Sequence, residues 1–291
     1  MIYRRGNFRL LSREAELRYN FIRVITVDIA LWGSFELEGS SLYEVNLGNL
    51  FLRFQIRGDE LQYAAESGDS GFGCTPLHPV RWKRTFEDLT WHRCILYEEN
   101  TNLRIKPILP DKPVLVRTMK AVQIPPGRGT VFYFQMPVWV RLEIVTAKSG
   151  DILLGDYPTE SMSKTWFGDP INGELSYALR TRAVRLEENM KEESHVITCP
   201  MTIRNGTEVT LTFERINLQV EYMSVFSSGN RLWTNAASVV FRGPDQFSQI
   251  NFSSLPPKIV RNPKKWSEPR LNIAKNLMRK SFLFLKKLTG L

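Results

Sequence analysis

Cysteine and histidine are scarce in this chain, three of each among 291 residues. Cys74, Cys94 and Cys199 are too few and too odd in number for a disulfide framework and suit a reducing, cytoplasmic compartment. Long apolar runs are also missing. The most apolar early stretch, Phe21 to Trp32, is short and broken by Arg23 and Asp28, whereas a bilayer span takes ~20 apolar residues. Arg4, Arg5 and Arg9 charge the N-terminus without an apolar segment ending in a small-residue cleavage site, so no secretory signal is expected. No phosphate-binding loop and no dinucleotide-binding glycine fingerprint occurs, and no cofactor is expected.

What is present is ordinary globular composition, 43% hydrophobic and 24% charged, with period-two alternation through most of the chain. From Phe132 to Ile144 every second residue is apolar, which places seven side chains on one face of an extended segment. Pro137 interrupts this run, so it is either an edge strand or two strands meeting at a bend. Pro125-Pro126-Gly127 reads as the turn before it. Leu50, Leu52, Phe54 and Ile56 pair with Leu61 and Tyr63 around the turn Arg57-Gly58-Asp59. Asn205-Gly206 between two alternating runs, Val196–Ile203 and Val209–Phe213, predicts a β-hairpin.

Many short strands with few helical patterns predict a mostly β protein of two sandwich-like lobes, the second immunoglobulin-like, plus a C-terminal amphipathic helix. A boundary is expected where Lys106-Pro107, Pro110 and Lys112-Pro113 interrupt the pattern. The expected domains are residues 1–106, 107–257 and a basic tail, 258–291. Several strings also carry a resemblance: Ser163-Lys164-Thr165-Trp166-Phe167-Gly168, Gly173-Glu174-Leu175-Ser176-Tyr177-Ala178, Cys199-Pro200, Ile203-Arg204-Asn205 and Leu232-Trp233-Thr234. Across residues 107–243 the chain resembles an uncharacterised prokaryotic family, the domain of unknown function numbered four-three-two. The resemblance implies no activity and no catalytic residue. It also points to small mechanosensitive channels as partners.

Motifs that carry chemistry mostly fail. Gly68-Asp69-Ser70-Gly71 resembles a serine-protease nucleophile loop, but there the histidine base precedes the serine, and the first histidine in this chain is His78. Cys74, His78, His92 and Cys94 fall close together and are ligand types for zinc. Their order matches no standard finger, and buried thiols beside ordinary histidines are the simpler reading. Trp166, Phe167, Asp169 and Glu174 read as a candidate sugar-binding loop, stacking aromatics beside paired carboxylates, against the simpler reading of aromatics plugging the end of a sandwich.

Charge is distributed unevenly. Residues 258–291 hold ten of the 39 Lys/Arg and one of the 30 acids, so their net +9 equals that of the whole chain and the rest balances. Ser267, Glu268 and Pro269 read as a helix start. On a helix, Met278, Phe282, Phe284 and Leu285 share one face, while Lys275, Arg279, Lys280, Lys286 and Lys287 share the other. With Lys264, Lys265 and Trp266 just before it, this segment is expected to bind an anionic membrane surface or a membrane-protein partner. Packing of the helix on the chain's own body is the alternative. Nucleic acid is not expected, because the body has no recognition motif and no net basic charge. The expected function is therefore non-enzymatic binding or scaffolding, cytoplasmic and peripheral on the inner membrane face, with a carbohydrate-directed role as the runner-up.

Overall fold

The computed structural model describes residues 31–37, 41–68, 73–96, 102–146, 150–168, 170–171, 173–180, 184–185, 190, 192–243, 248–272, 277–279 and 282–283. All of these lie in one compact unit, Leu31–Leu291. The chain is mostly β, as its alternation predicts. The first strands are β1 (Gly33–Glu36), β2 (Leu42–Leu47), β3 (Leu50–Arg57), β4 (Glu60–Ser67), β5 (Thr75–Val80), β6 (His92–Ile95) and β7 (Asn102–Ile108). Then come β8 (Val114–Ile124), β9 (Gly129–Pro137), β10 (Trp139–Val145), β11 (Ile152–Pro158), β12 (Ser163–Phe167) and β13 (Glu174–Arg180). They are followed by β14 (Val196–Asn205), β15 (Leu211–Leu218), β16 (Val225–Ser228), β17 (Arg231–Thr234) and β18 (Ala237–Phe241). Last are β19 (Ser248–Phe252), β20 (Lys264–Ser267), β21 (Leu277–Arg279) and β22 (Phe282–Leu283).

Four sheets result. Their strand orders are β5-β2-β3-β4-β6, β1-β7-β10-β11, β12-β13-β8-β15-β22 and β20-β16-β17-β14-β18-β19-β21, with β9 on the other edge of β14. The first is all antiparallel: β2, β3 and β4 are consecutive neighbours, with Ile56 opposite Leu61 and Phe54 opposite Tyr63, and β5 and β6 take the two edges. Gly58, at φ 62°, makes its two-residue turn without the steric cost of a side chain.

The alternating run from Phe132 to Ile144 is two strands meeting at a bend. All seven of its apolar side chains are 3% exposed or less, so β9 and β10 present one continuous buried row to a shared core while pairing in different sheets. Val138 is the pivot. Its N–H donates to His195 O (2.9 Å), and its carbonyl accepts from both Thr159 N (3.2 Å) and Thr159 Oγ1 (2.6 Å). A buried bend leaves no backbone group without a partner only if other segments supply one, and here they do. Across the core, Phe132 of β9 meets Phe213 of β15 edge to face at 6.2 Å, and Trp139 of β10 tilts against Tyr177 of β13 at 6.0 Å.

Two expectations are corrected. The Asn205-Gly206 hairpin does not form: β14 pairs with β9, β17 and β18, whereas β15 pairs with β8 and β22. The buried Asn205 side chain turns the chain instead, donating to Ile124 O (3.0 Å) and Val209 O (2.7 Å) and accepting from Thr207 N (3.0 Å). Gly206 is required by close approach, since a Cβ there would sit 2.9 Å from Phe241 O. Asparagine and glycine thus serve a corner between sheets rather than a turn within one.

The predicted C-terminal helix is likewise not found among the described residues, where the tail is extended. β20 pairs with β16, β21 with β19 and β22 with β15. Pro269 disfavours helical backbone at Glu268, and a sheet edge offers unpaired N–H and C=O groups that an added strand satisfies. The boundary expected at Lys106-Pro107 falls inside β7, and residues from both sides of it share one buried cluster.

Phe134 lies at the centre of the buried row with no exposure. Phe134→Ala is expected to cost ~3 to 5 kcal/mol, read by urea or guanidinium unfolding; a loss under about 1 kcal/mol would contradict a packed, shared core.

Candidate functional site

The described part of the basic tail builds one wall of a cavity. β20 adds to the edge of β16, with Ser227 opposite Lys264 and Phe226 opposite Lys265. Trp266 is fixed there by its Nε1–H, which donates to Ser227 Oγ (2.8 Å), and Lys264 Nζ sits 3.8 Å from its ring centroid. Lys265 Nζ pairs with Glu268 (2.5 Å). Lys264 and Lys265 are both exposed. Beyond them Arg270 turns inward: its Nε donates to Leu109 O (2.7 Å), its Nη1 to Asp156 Oδ2 (2.7 Å), and its guanidinium lies 5.6 Å from the Trp139 ring.

The cavity, about 360 Å³, is lined by Lys106, Arg141, Lys265 and Arg270, with Glu268 as the only acid among the described lining residues. Asp156 behind it receives both Nε and Nη2 of Arg141 (2.7 Å each) as well as Arg270. Burial works against the Asp156 carboxylate, but the hydrogen bonds and charges of Arg141 and Arg270 outweigh it and hold the group below its ordinary value of 3.8. Lys106 Nζ is paired with the buried Glu143 (2.6 Å). Two arginines share one aspartate, so the lining keeps an excess of positive charge.

The remaining predicted site residues are scattered. Met278 and Arg279 lie in β21 and Phe282 in β22, as backbone ladder positions rather than one helix face. Lys275, Lys280, Phe284, Leu285, Lys286 and Lys287 lie outside the described residues, as do Asp169 and Ser70. Trp166 and Phe167 are neighbours on β12 and therefore face opposite ways: Trp166 is 50% exposed and Phe167 is buried. Glu174 accepts hydrogen bonds from Asn217 Nδ2 and Gln219 Nε2, both at 2.7 Å.

The four zinc-ligand types do not converge. Cys74 and His78 lie at or beside β5, while His92 and Cys94 lie on β6, at the opposite edge of the same five-stranded sheet. Four inter-strand spacings separate those edges, roughly 19 Å. No group of three such side chains placed to hold a metal ion occurs among the described residues.

One constellation escapes sequence reasoning. His195, only 6% exposed, places Nδ1 3.3 Å from Cys74 Sγ and Nε2 2.9 Å from Glu160 Oε1. Burial would discharge the ring, but its bonds to Cys74 and Glu160 outweigh burial and push its pKa up to about 10. Cys74 and His195 are 121 positions apart and Glu160 belongs to a third segment, so no local spacing announces the set.

The strings that carried the family resemblance occupy structural positions. Two form the β12–β13 ladder, and Leu232-Trp233-Thr234 lies in β17, which runs parallel to β14 just before Cys199, Thr198 opposite Trp233. The chain belongs to the family described as protein of unknown function (DUF432). That family's sequence model matches residues 31–286, well beyond the 107–243 that carry the strings and reaching past β22 into the basic tail. No curated protein and no solved structure matches the chain. No helix among the described residues is long and apolar enough to cross a membrane.

Asp156→Asn removes the charge that two arginines share and is expected to cost about 2 kcal/mol at neutral pH. The folded carboxyl titrates below its ordinary 3.8, so this contribution is complete above that pH and is lost as pH falls through the folded value. Unfolding curves of the two proteins should therefore converge in acid; a gap that persists at the lowest pH would contradict the assignment.

Proposed function

We propose that this chain is a binding protein that docks on an anionic membrane surface through its basic C-terminal segment. The observation that carries this reading is charge segregation: residues 258–291 hold a net +9 and the rest of the chain none. Electrostatic attraction to an anionic leaflet is worth ~1 kcal/mol for each Lys or Arg near it. Lys264 and Lys265 are adjacent and exposed, and Trp266, an aromatic suited to the headgroup region, lies next to them. The neighbouring cavity, with its basic lining, has room for a phosphate headgroup. An edge strand presents these groups in a fixed order, so docking requires no new helix. The family's suggested membrane-protein partners, small mechanosensitive channels, would be met at the same surface. The carbohydrate reading has less behind it, because Trp166 and Phe167 face opposite ways and Glu174 is engaged by Asn217 and Gln219.

Co-sedimentation with vesicles of phosphatidylcholine, with and without phosphatidylserine, tests the proposal. Binding should need the anionic lipid and weaken with salt, and the double variant Lys264→Glu, Lys265→Glu should bind about tenfold less tightly or worse. Equal binding of both proteins, or equal binding to neutral vesicles, would refute it. Capture of a purified membrane-protein partner without any response to anionic lipid would move the function to that partner.

A further inference from the structure

A second, chemically different centre lies where the β2–β3 turn, the start of β5 and the segment before β14 meet. The backbone explains the convergence. Asn46 of β2 pairs with Thr75 of β5, which brings Cys74 alongside the Gly48-Asn49 turn. Asn49 N donates to Thr159 O (2.8 Å), which ties that turn to the segment carrying Glu160. His195 enters through the same bend that pivots at Val138, since its carbonyl accepts from Val138 N.

The ring is held in place. Gly48 has φ 66°, and a Cβ there would come within 2.9 Å of His195 Cδ2, so the imidazole lies flush against a turn that only glycine makes comfortably. With its backbone bonded and its edge packed, the ring keeps Nδ1 on the Cys74 sulfur and Nε2 on the Glu160 carboxylate. A nucleophile, a histidine within hydrogen-bond reach and a third group orienting that histidine are the parts of an activated thiol.

We propose that Cys74 is a redox-responsive nucleophilic thiol, with His195 as its proton donor and Glu160 as the positioning residue, and that its substrate class is small hydroperoxides. Cys74 is half-buried, so a small reagent reaches it. Glu160 and Glu193, whose carboxylate lies 3.8 Å from His195 Nε2, are both partly exposed beside the ring. The imidazole faces the sulfur as a cation, the partner that a reacting thiolate needs. Acyl transfer would require further donors for an oxyanion; peroxide reduction requires only the thiolate and a proton source.

In that step the Cys74 thiolate attacks the distal peroxide oxygen, an S–O bond forms and the O–O bond breaks. Sulfur is oxidised by two electrons, the peroxide is reduced, and the proton on His195 Nδ1 passes to the leaving alkoxide, which departs as alcohol. The resulting sulfenic acid condenses with a small external thiol to a mixed disulfide and water, and a second thiol restores Cys74. An external thiol is needed because Cys199 is fully buried and Cys94 lies at the far edge of the first sheet.

The test uses the full chain and mass spectrometry. Cys74 should be alkylated by iodoacetamide at neutral pH about tenfold faster than N-acetylcysteine, and hydrogen peroxide followed by dimedone should label Cys74 ahead of Cys94, whose thiol burial pushes up. Because His195→Gln risks unfolding a buried site, Glu160→Gln is the informative variant: its Cys74 should react several-fold more slowly, with an altered pH–rate profile, while its unfolding curve stays close to wild type. A Cys74 rate no faster than that of N-acetylcysteine overturns the proposal. So does an unchanged rate and pH profile in Glu160→Gln.

Discussion

The bend at Val138 is the constraint on which the other elements depend. A single extended segment supplies β9 to one sheet and β10 to another, and its buried row of seven apolar side chains gives both sheets the same core. Such a segment can change sheets only where its backbone groups find partners outside either ladder. Thr159 and His195 provide those partners, and both are thereby fixed. The chemistry around His195 is in that sense a consequence of the fold: the residue that closes the bend with its carbonyl also presents its ring to Cys74 and Glu160.

The basic tail depends on the body in a different way. Open sheet edges carry unpaired backbone groups, and the described tail segments lie along the edges of β16, β19 and β15. Arg270 then reaches past the edge to Asp156 and Leu109, which joins the tail to β11 and to the loop after β7. Two of the tail's ten basic residues, Lys265 and Arg270, thus line a cavity together with Lys106 and Arg141 of the body.

The sequence made the strands legible wherever a local rule decided them. The alternation from Phe132 to Ile144, the Pro-Pro-Gly turn and the Gly58 hairpin all follow from side-chain period and backbone freedom within a few residues. Asn205-Gly206 misled because the same residues that favour a tight hairpin also favour a corner, and the choice rests on Ile124 and Phe241, far away in the chain. The tail misled for a related reason: its helical period is real, but where the tail is described it pairs with open sheet edges instead. Of the candidate residues, Lys265 and Trp266 line the cavity, and Lys264 lies against the Trp266 ring. Cys74 was noticed for the wrong companions, while His195 and Glu160 could not be linked to it without the long-range pairing that brings three segments together.

The claim that most of this rests on is that the basic C-terminal segment belongs to the folded body. Backbone hydrogen exchange across Lys264–Ser267 tests it directly, by comparing those amides with the ones of Val225–Ser228 that they pair with. Integration into the sheet predicts slowed exchange in both segments, lost across Lys264–Ser267 when Arg270 is replaced by alanine. Exchange at the rate of an unstructured peptide across Lys264–Ser267, with Val225–Ser228 still protected, would contradict it.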